Sequence, residues 1–539
     1  MAHLLRRSAL ATLPTALILA LPPTAPARAD EAAILQLEQQ MRAMEARHQA
    51  EMARLEAEIA ALRAGKAQSA PQPAAAAPAP APTAPTLVES PTHQFGIASP
   101  DGQTSIALIA RLHFDAGDYL HVTPTGGARG AGPGSLNSGV NARRARLGLG
   151  GTFEGDWAYR LIYEFGGSSD SLTPGAAGAD ASGVENAYIT YNGFNRPERA
   201  LPLAVDFGYM DVPWTLDEAT SSNDIMFLER SSAQVVASEF GGGDDRSALE
   251  LRSNSDRRWS GLALTGPTSG APHTGANIGS TALLGRTAYQ LWDGRQGSLH
   301  LGLNLGHMFN SRVNSTTTGS GGISTTAALP ALALADRPEL RLDPTTLLDS
   351  GNIPFRAGSV GGVEAATAQG GLFAQGELYH YTVDQLARGT NPADGAINLA
   401  APQLAFNGGY LEASYSIGGT RHYIPATGAY SGVIPDHPFA LKTGGWGAWE
   451  LAARYSEINL NDHFTPGTAP HLSGGVNGGL QQGLDLGLNW YANANIRFML
   501  DYIHTEVSDL YKTTGNGSAP TTPAGATIDA VALRSQFAF

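Results

Sequence analysis

From residue 105 to Phe539, short segments of the chain alternate large apolar residues with small or charged ones, and this period of two confines the fold to half-buried β-strands. In residues 105–116, Ile106, Leu108, Ala110, Leu112 and Phe114 share one face, and Ile109, Arg111, His113 and Asp115 the other. Trp157, Tyr159, Leu161, Tyr163 and Phe165 stand against Arg160 and Glu164, and Leu299, Leu301, Leu303 and Leu305 against His300, Gly302, Asn304 and Gly306. Residues 484–490 and 496–502, joined by 492–495, predict a hairpin. A water-soluble sandwich alternates too, so the second face decides. Here it is small or charged, while Trp157, Trp449, Trp490, Tyr163, Tyr455 and Tyr502 fall near the ends of apolar stripes, where the aromatic girdles of a membrane barrel lie.

No stretch reaches the ~20 apolar residues that a spanning helix needs. Membrane entry therefore requires a closed barrel, because lipid offers no partner to unpaired backbone groups. Roughly 450 residues at ~25–30 per strand and connection predict about 16 strands, an even number. The expected fold is all-β: a 16-stranded antiparallel transmembrane β-barrel over residues 87–539, preceded by an α-helical coiled coil. Long stretches such as residues 311–362 and 384–403 are expected as outward loops, with Asp336, Glu339, Asp343 and Asp349 among their charges. In the final strand, Val531, Leu533, Phe537 and Phe539 point one way, interrupted by Ser535, and Arg534 and Gln536 the other. An amphipathic last strand ending on an aromatic resembles the signal read by outer-membrane barrel assembly machinery, an expected partner.

The first 86 residues carry other instructions. Arg6 and Arg7, the apolar residues 10–21 and Ala27-Arg28-Ala29 read as a removable signal peptide, residues 1–29. Pro14, Pro22 and Pro23 disfavour an anchor helix. In residues 30–65, Ile34, Leu37, Met41 and Met44, then Met52, Leu55, Ile59 and Leu62, follow coiled-coil spacing, with a stutter at His48. An oligomerising coiled coil is favoured over a helix docked on its own barrel. Residues 66–86 form an Ala/Pro-rich spacer.

The chain has no cysteine, which excludes disulfides and Cys-based metal or redox sites. Its 14 histidines are scattered; His113, His307 and His504 have no evident Ser and Asp partners, and neither a G-x-S-x-G elbow nor an H-E-x-x-H is present. Neither an enzyme nor a cofactor or metal site is expected. The formal charge of −14 and the lack of a basic patch disfavour nucleic acid.

Several stretches together resemble the phosphate-selective porin O and P family: residues 111–115 (RLHFD), 143–151 (RRARLGLGG) with Gly155-Asp156-Trp157, 186–194 (NAYITYNGF), 207–231 (FGYMDVPWTLDEATSSNDIMFLERS), 445–460 (GWGAWELAARYSEINL), 487–497 (GLNWYANANIR) and 533–539 (LRSQFAF). The resemblance implies a homotrimer of 16-stranded barrels in the bacterial outer membrane, in contact with its lipid, each pore narrowed by an infolded loop. That loop would fall at residues 210–230, with Pro213, Trp214, Asp217, Glu218 and Asp224 at the constriction. Glu229 and Arg230 would start the next strand or pin the loop to the wall. The coiled coil would lie in the periplasm.

Family members select anions with lumen arginines and with lysines near the pore mouth. By alternation, the lumen-facing arginines here would be Arg111, Arg144, Arg146, Arg160, Arg286, Arg454, Arg497 and Arg534. Each of them also has a structural reading, as part of a wall network with Asp115, Glu164, Glu450, Asp485 and Asp501. The chain departs from the family in its lysines, which are only Lys66, Lys442 and Lys512. Of 34 basic and 48 acidic residues, 8 and 7 fall in residues 1–86, leaving 26 and 41 for the barrel region, a balance of −15. The expected function is a passive diffusion channel for small hydrophilic solutes, with inorganic or organic anions, phosphate included, as candidates. A barrel-anchored envelope tether is the alternative.

Overall fold

The computed structural model describes residues 85–89, 95–124, 135–166, 183–195, 202–240, 245–266, 281–294, 297–310, 313–318, 325–386, 401–468, 474–512 and 522–539. The expected signal peptide, the coiled coil and the spacer up to residue 84 lie outside the described residues.

Sixteen strands pair antiparallel in chain order: β1 Ser105–Pro124, β2 Gly139–Phe153, β3 Trp157–Glu164, β4 Gly183–Tyr191, β5 Ala204–Asp211, β6 Asp245–Asn254, β7 Arg258–Thr265, β8 Thr281–Gly294, β9 Gly297–Asn310, β10 Ile353–Gln369, β11 Leu372–Gln385, β12 Leu404–Ile417, β13 Ala448–Asp462, β14 Val476–Tyr491, β15 Ile496–Lys512 and β16 Thr522–Ala538. The last returns to the first, with Ala538 opposite Arg111 and Arg534 opposite Asp115, so the sheet closes into a barrel. The expected hairpin is β14–β15, with Leu484 opposite His504 and Tyr491 opposite Arg497. A hairpin of Thr86–Glu89 and Phe95–Ala98 precedes β1 and pairs with its first residues, Gly96 opposite Ala107.

Alternation sorts each strand's side chains between lipid and lumen. Trp157, Tyr163, Trp449, Tyr455 and Tyr502 all face outward. Trp157, Trp449 and Trp490 ring the end with short turns, where Trp449, Trp490 and Phe498 stack in a row at 5.8 and 5.5 Å. One of those turns, residues 154–156, has positive φ at Glu154 (48°) and Gly155 (74°), and the left-handed backbone at the second favours glycine there.

Much of the lumen is filled by three segments. After β5 the chain folds inward through α1 (Leu216–Ala219) and α2 (Ser232–Phe240). Thr215 caps α1, its hydroxyl accepting from Glu218 N–H, while Glu377 on β11 accepts from the N–H groups of Leu216 and Asp217 at 2.9 Å each. Val236, Ala237 and Phe240 of α2 pack into an apolar cluster with Val360, Tyr381, Val383, Phe406 and Ile458 of the wall. The second segment lies between β9 and β10, where Leu340 and Leu347 pack on Met499, Ile503, Val507 and Ile528.

The third segment joins β12 to β13 at the short-turn end, where Tyr423–Ile424 pairs with Ala429–Tyr430 inside the barrel. Tyr430 packs with Leu216, Met226 and Phe227 of the first segment.

Two expectations need correction. Residues 311–362 are not all outward loop: β10 begins at Ile353, and Asp336, Glu339 and Asp343 are buried, Asp336 paired with Arg341 (2.7 Å) and Glu339 with Arg454 (2.8 Å). Glu229 and Arg230 do not start a strand. They precede α2, and the next strand begins at Asp245.

Candidate functional site

The lumen arginines fall into two groups according to what their donors meet. Around the wall of β8 and β13–β16, guanidiniums hold backbone carbonyls of the infolded segments. Arg497 donates to the carbonyls of Ile225 (2.7 Å), Asn223 and Met226 (3.3 Å each). Arg534 donates to Asp115 through two 2.7 Å bonds, to Glu229 at 2.8 Å and to Leu228 O. Arg454 donates to Asp485 and Glu229 O at 2.8 Å each and lies 4.5 Å over the Phe227 ring. Arg286 pairs with Glu364, donates to the carbonyls of Thr427 (3.0 Å) and Gly428 (2.6 Å), and lies over Trp259. All four are buried. These are the bidentate bonds that guanidinium geometry favours, and they position backbone.

Two more clamps escape simple alternation. Arg143 and Arg144 are consecutive, yet both are buried, because a bulge places His113 opposite Arg144 and Phe114 opposite Ala142, leaving Arg143 as the extra residue. Arg143 then binds Glu229 at 2.7 and 2.9 Å. Arg421 of the infolded turn binds Glu450 at 2.7 and 2.9 Å and donates to Asp224 O at 2.6 Å. The doubled arginine in RRAR was the only sequence signal for the first; nothing in the alternation marks the second.

The other group lines a cavity of about 380 Å³ between the first infolded segment and the wall of β1–β7. Arg111, Arg144, Arg146 and Arg160 face it from β1–β3, with Arg252 from β6 and Arg230 from the loop. Glu185, Asp206 and Glu250 on the wall, and Asp211 and Glu218, face the same space. Arg146 pairs with Glu164 (2.7 Å) and Glu185, Arg252 with Asp206 (2.6 Å), and Arg230 with Asp217 (3.1 Å). Arg111 donates to the hydroxyls of Ser222 (2.6 Å) and Ser221 (3.3 Å). Among the described residues Arg160 has neither a hydrogen bond nor an ion pair, and its Nε is buried without an acceptor. A second cavity of about 340 Å³, toward the short-turn end, shares Ile109, Arg160, Tyr188 and Arg252 with the first.

Of the expected loop residues, Glu218 and Arg230 line the larger cavity together with Pro213. Trp214 is buried in the apolar cluster with Leu284, Met308 and Val360, and Asp224 sits against the turn at Gly432. Glu229 is buried between Arg143 and Arg534. Burial opposes its ionisation, but those two guanidiniums hold its carboxyl well below the ordinary range.

The sequence model of the phosphate-selective porin O and P family matches residues 111–539. Porin O of Pseudomonas aeruginosa is 25% identical over 385 residues, 69% of this chain and 78% of that protein. An uncharacterized protein of Caulobacter vibrioides is 26% identical over 418 residues, 74% of this chain and 68% of its own length. Among solved structures, the anion-selective porin from Comamonas acidovorans is 14% identical and aligns at a TM-score of 0.43, covering 81% of this chain and all of that one (100%). The family match runs from β1 to the last residue, and so this chain belongs to the phosphate-selective porin O and P family and is an outer-membrane porin.

Proposed function

We propose that the chain forms a homotrimer of independent passive pores that admit small hydrophilic solutes and prefer anions. The observation that supports the preference is the pairing state of the open side of the lumen: Arg111 donates only to hydroxyls and Arg160 to nothing among the described residues, while Asp206 is already bound by Arg252. Unanswered guanidinium charge in a narrow, partly desolvated passage attracts anions more strongly than the negative total charge repels them. In this reading the short turns face the periplasm, where residues 30–65 hold three chains together, and the apolar outer band meets outer-membrane lipid. The last strand is what the barrel assembly machinery recognises.

Purified protein in a planar bilayer should open in steps of three, with a reversal potential in a KCl gradient on the chloride side. A membrane that stays silent at high protein load overturns the pore. A potassium-side reversal potential overturns the anion preference. Deleting residues 31–85 should release monomers on a native gel; intact trimers together with a leaky envelope would favour tethering instead.

A further inference from the structure

We infer that the stretch of lumen shared by the two cavities binds organic monoanions with a planar apolar body, arylcarboxylates such as benzoate, in preference to small aliphatic carboxylates such as acetate. The inference rests on the anion-preferring reading above and narrows it to a solute class.

Arg160 and Tyr188 stand directly opposite each other on β3 and β4, and both line both cavities. Arg160 has no partner among the described residues and a buried, unanswered Nε. A guanidinium left this way favours an acceptor with two oxygens, which a carboxylate supplies in one plane. Beside it the surface changes character: Ile109 and the Tyr188 ring are apolar faces, and Gly150 and Ala158 leave clearance toward the short-turn end. Gly208, opposite Tyr188 on β5, contributes to that shape, since a Cβ there would lie 2.8 Å from Tyr188 Cβ.

Arg252, the second guanidinium that lines both cavities, is already bound by Asp206 at 2.6 Å, so a carboxylate entering this stretch falls to Arg160. The two oxygens of a benzoate engage the Arg160 fork, and its ring lies against Tyr188 in an offset or edge contact. An acetate makes the first contact without the second.

The test uses the intact trimer in planar bilayers and reads the concentration of benzoate or acetate that halves the chloride current. Benzoate should act at about fivefold lower concentration than acetate. Arg160→Gln should raise the benzoate value about tenfold. Tyr188→Leu should bring benzoate up to acetate while leaving acetate unmoved, and Tyr188→Phe, which preserves the ring and the packing, should keep the difference. Equal benzoate and acetate values in the wild type, or a benzoate preference that survives Tyr188→Leu, each overturn the inference. The reversal potential in a KCl gradient, read on the same membranes, separates the two levels. A cation-selective channel defeats the anion reading, whereas an anion-selective one indifferent to the ring defeats only this assignment.

Discussion

Arg534 of the last strand and Asp115 of the first are cross-strand partners at the seam of the barrel, joined by two hydrogen bonds of 2.7 Å. The same guanidinium reaches Glu229 and the carbonyl of Leu228, so the closure of the barrel and the seat of the infolded loop share one side chain. Removing it strands the buried carboxylate of Asp115 and leaves Glu229 to Arg143. Arg534→Gln should therefore destabilise the folded barrel by about 3–5 kcal/mol, read as a lower temperature for loss of the compact band on unheated gels. Arg534→Lys should recover only part of this, because a point charge does not reproduce the planar fork. A glutamine variant with wild-type heat resistance would show that the seam does not depend on this pair.

The division of the arginines predicts two distinct phenotypes. Arg160→Gln leaves every described contact in place and should shift the reversal potential toward cations with little change in stability. Arg454→Gln removes support from Asp485, Glu339 and Glu229 O, and should instead produce flickering, irregular conductance as the infolded segments loosen. Similar single-channel records for the two variants would contradict the division.

Alternation along the strands carried most of the fold, because a lipid-facing residue and a lumen-facing residue differ in kind at every step. It placed Arg111, Arg146 and Arg160, and equally Arg454, Arg497 and Arg534, on the lumen side. What it did not reveal was depth of cover. Whether a lumen arginine meets solute or a buried carbonyl depends on where residues 212–240, 332–351 and 418–447 fold, and these contacts join positions far apart in the chain, 86 residues for Arg143 and Glu229 and 272 for Arg497 and Ile225. A local period has no access to such pairings. Arg143 escaped for a smaller reason, a one-residue bulge that reverses the side on which alternation places it.

Glu229 gives the loop a defined response to acid. Its carboxyl titrates well below its ordinary value of 4.5, so the stabilisation from Arg143 and Arg534 is fully present above that pH and is lost only as the pH falls through the lowered value of the folded protein. Open-channel conductance should stay quiet from pH 7 down to 4.5, with gating noise appearing only in stronger acid. Glu229→Gln should be noisy at neutral pH. A wild-type channel that begins to flicker at pH 6 would show that this clamp does not govern the loop.

Arg421 and Arg497 approach the same stretch of the infolded loop from two directions, the first from the turn between β12 and β13 and the second from β15. Arg421 holds the carbonyl of Asp224, and Arg497 those of Asn223, Ile225 and Met226. Either alone keeps the stretch near the wall, so each single glutamine variant should cost less than its own hydrogen bonds imply. Removing both frees the loop between Asn223 and Met226, and the double variant should then be worse than the sum of the singles by about 0.5–3 kcal/mol. Urea unfolding in detergent, followed by tryptophan fluorescence, measures all three. Strict additivity would mean that the turn and the loop are held independently, and that the two infolded segments narrow the pore without supporting each other.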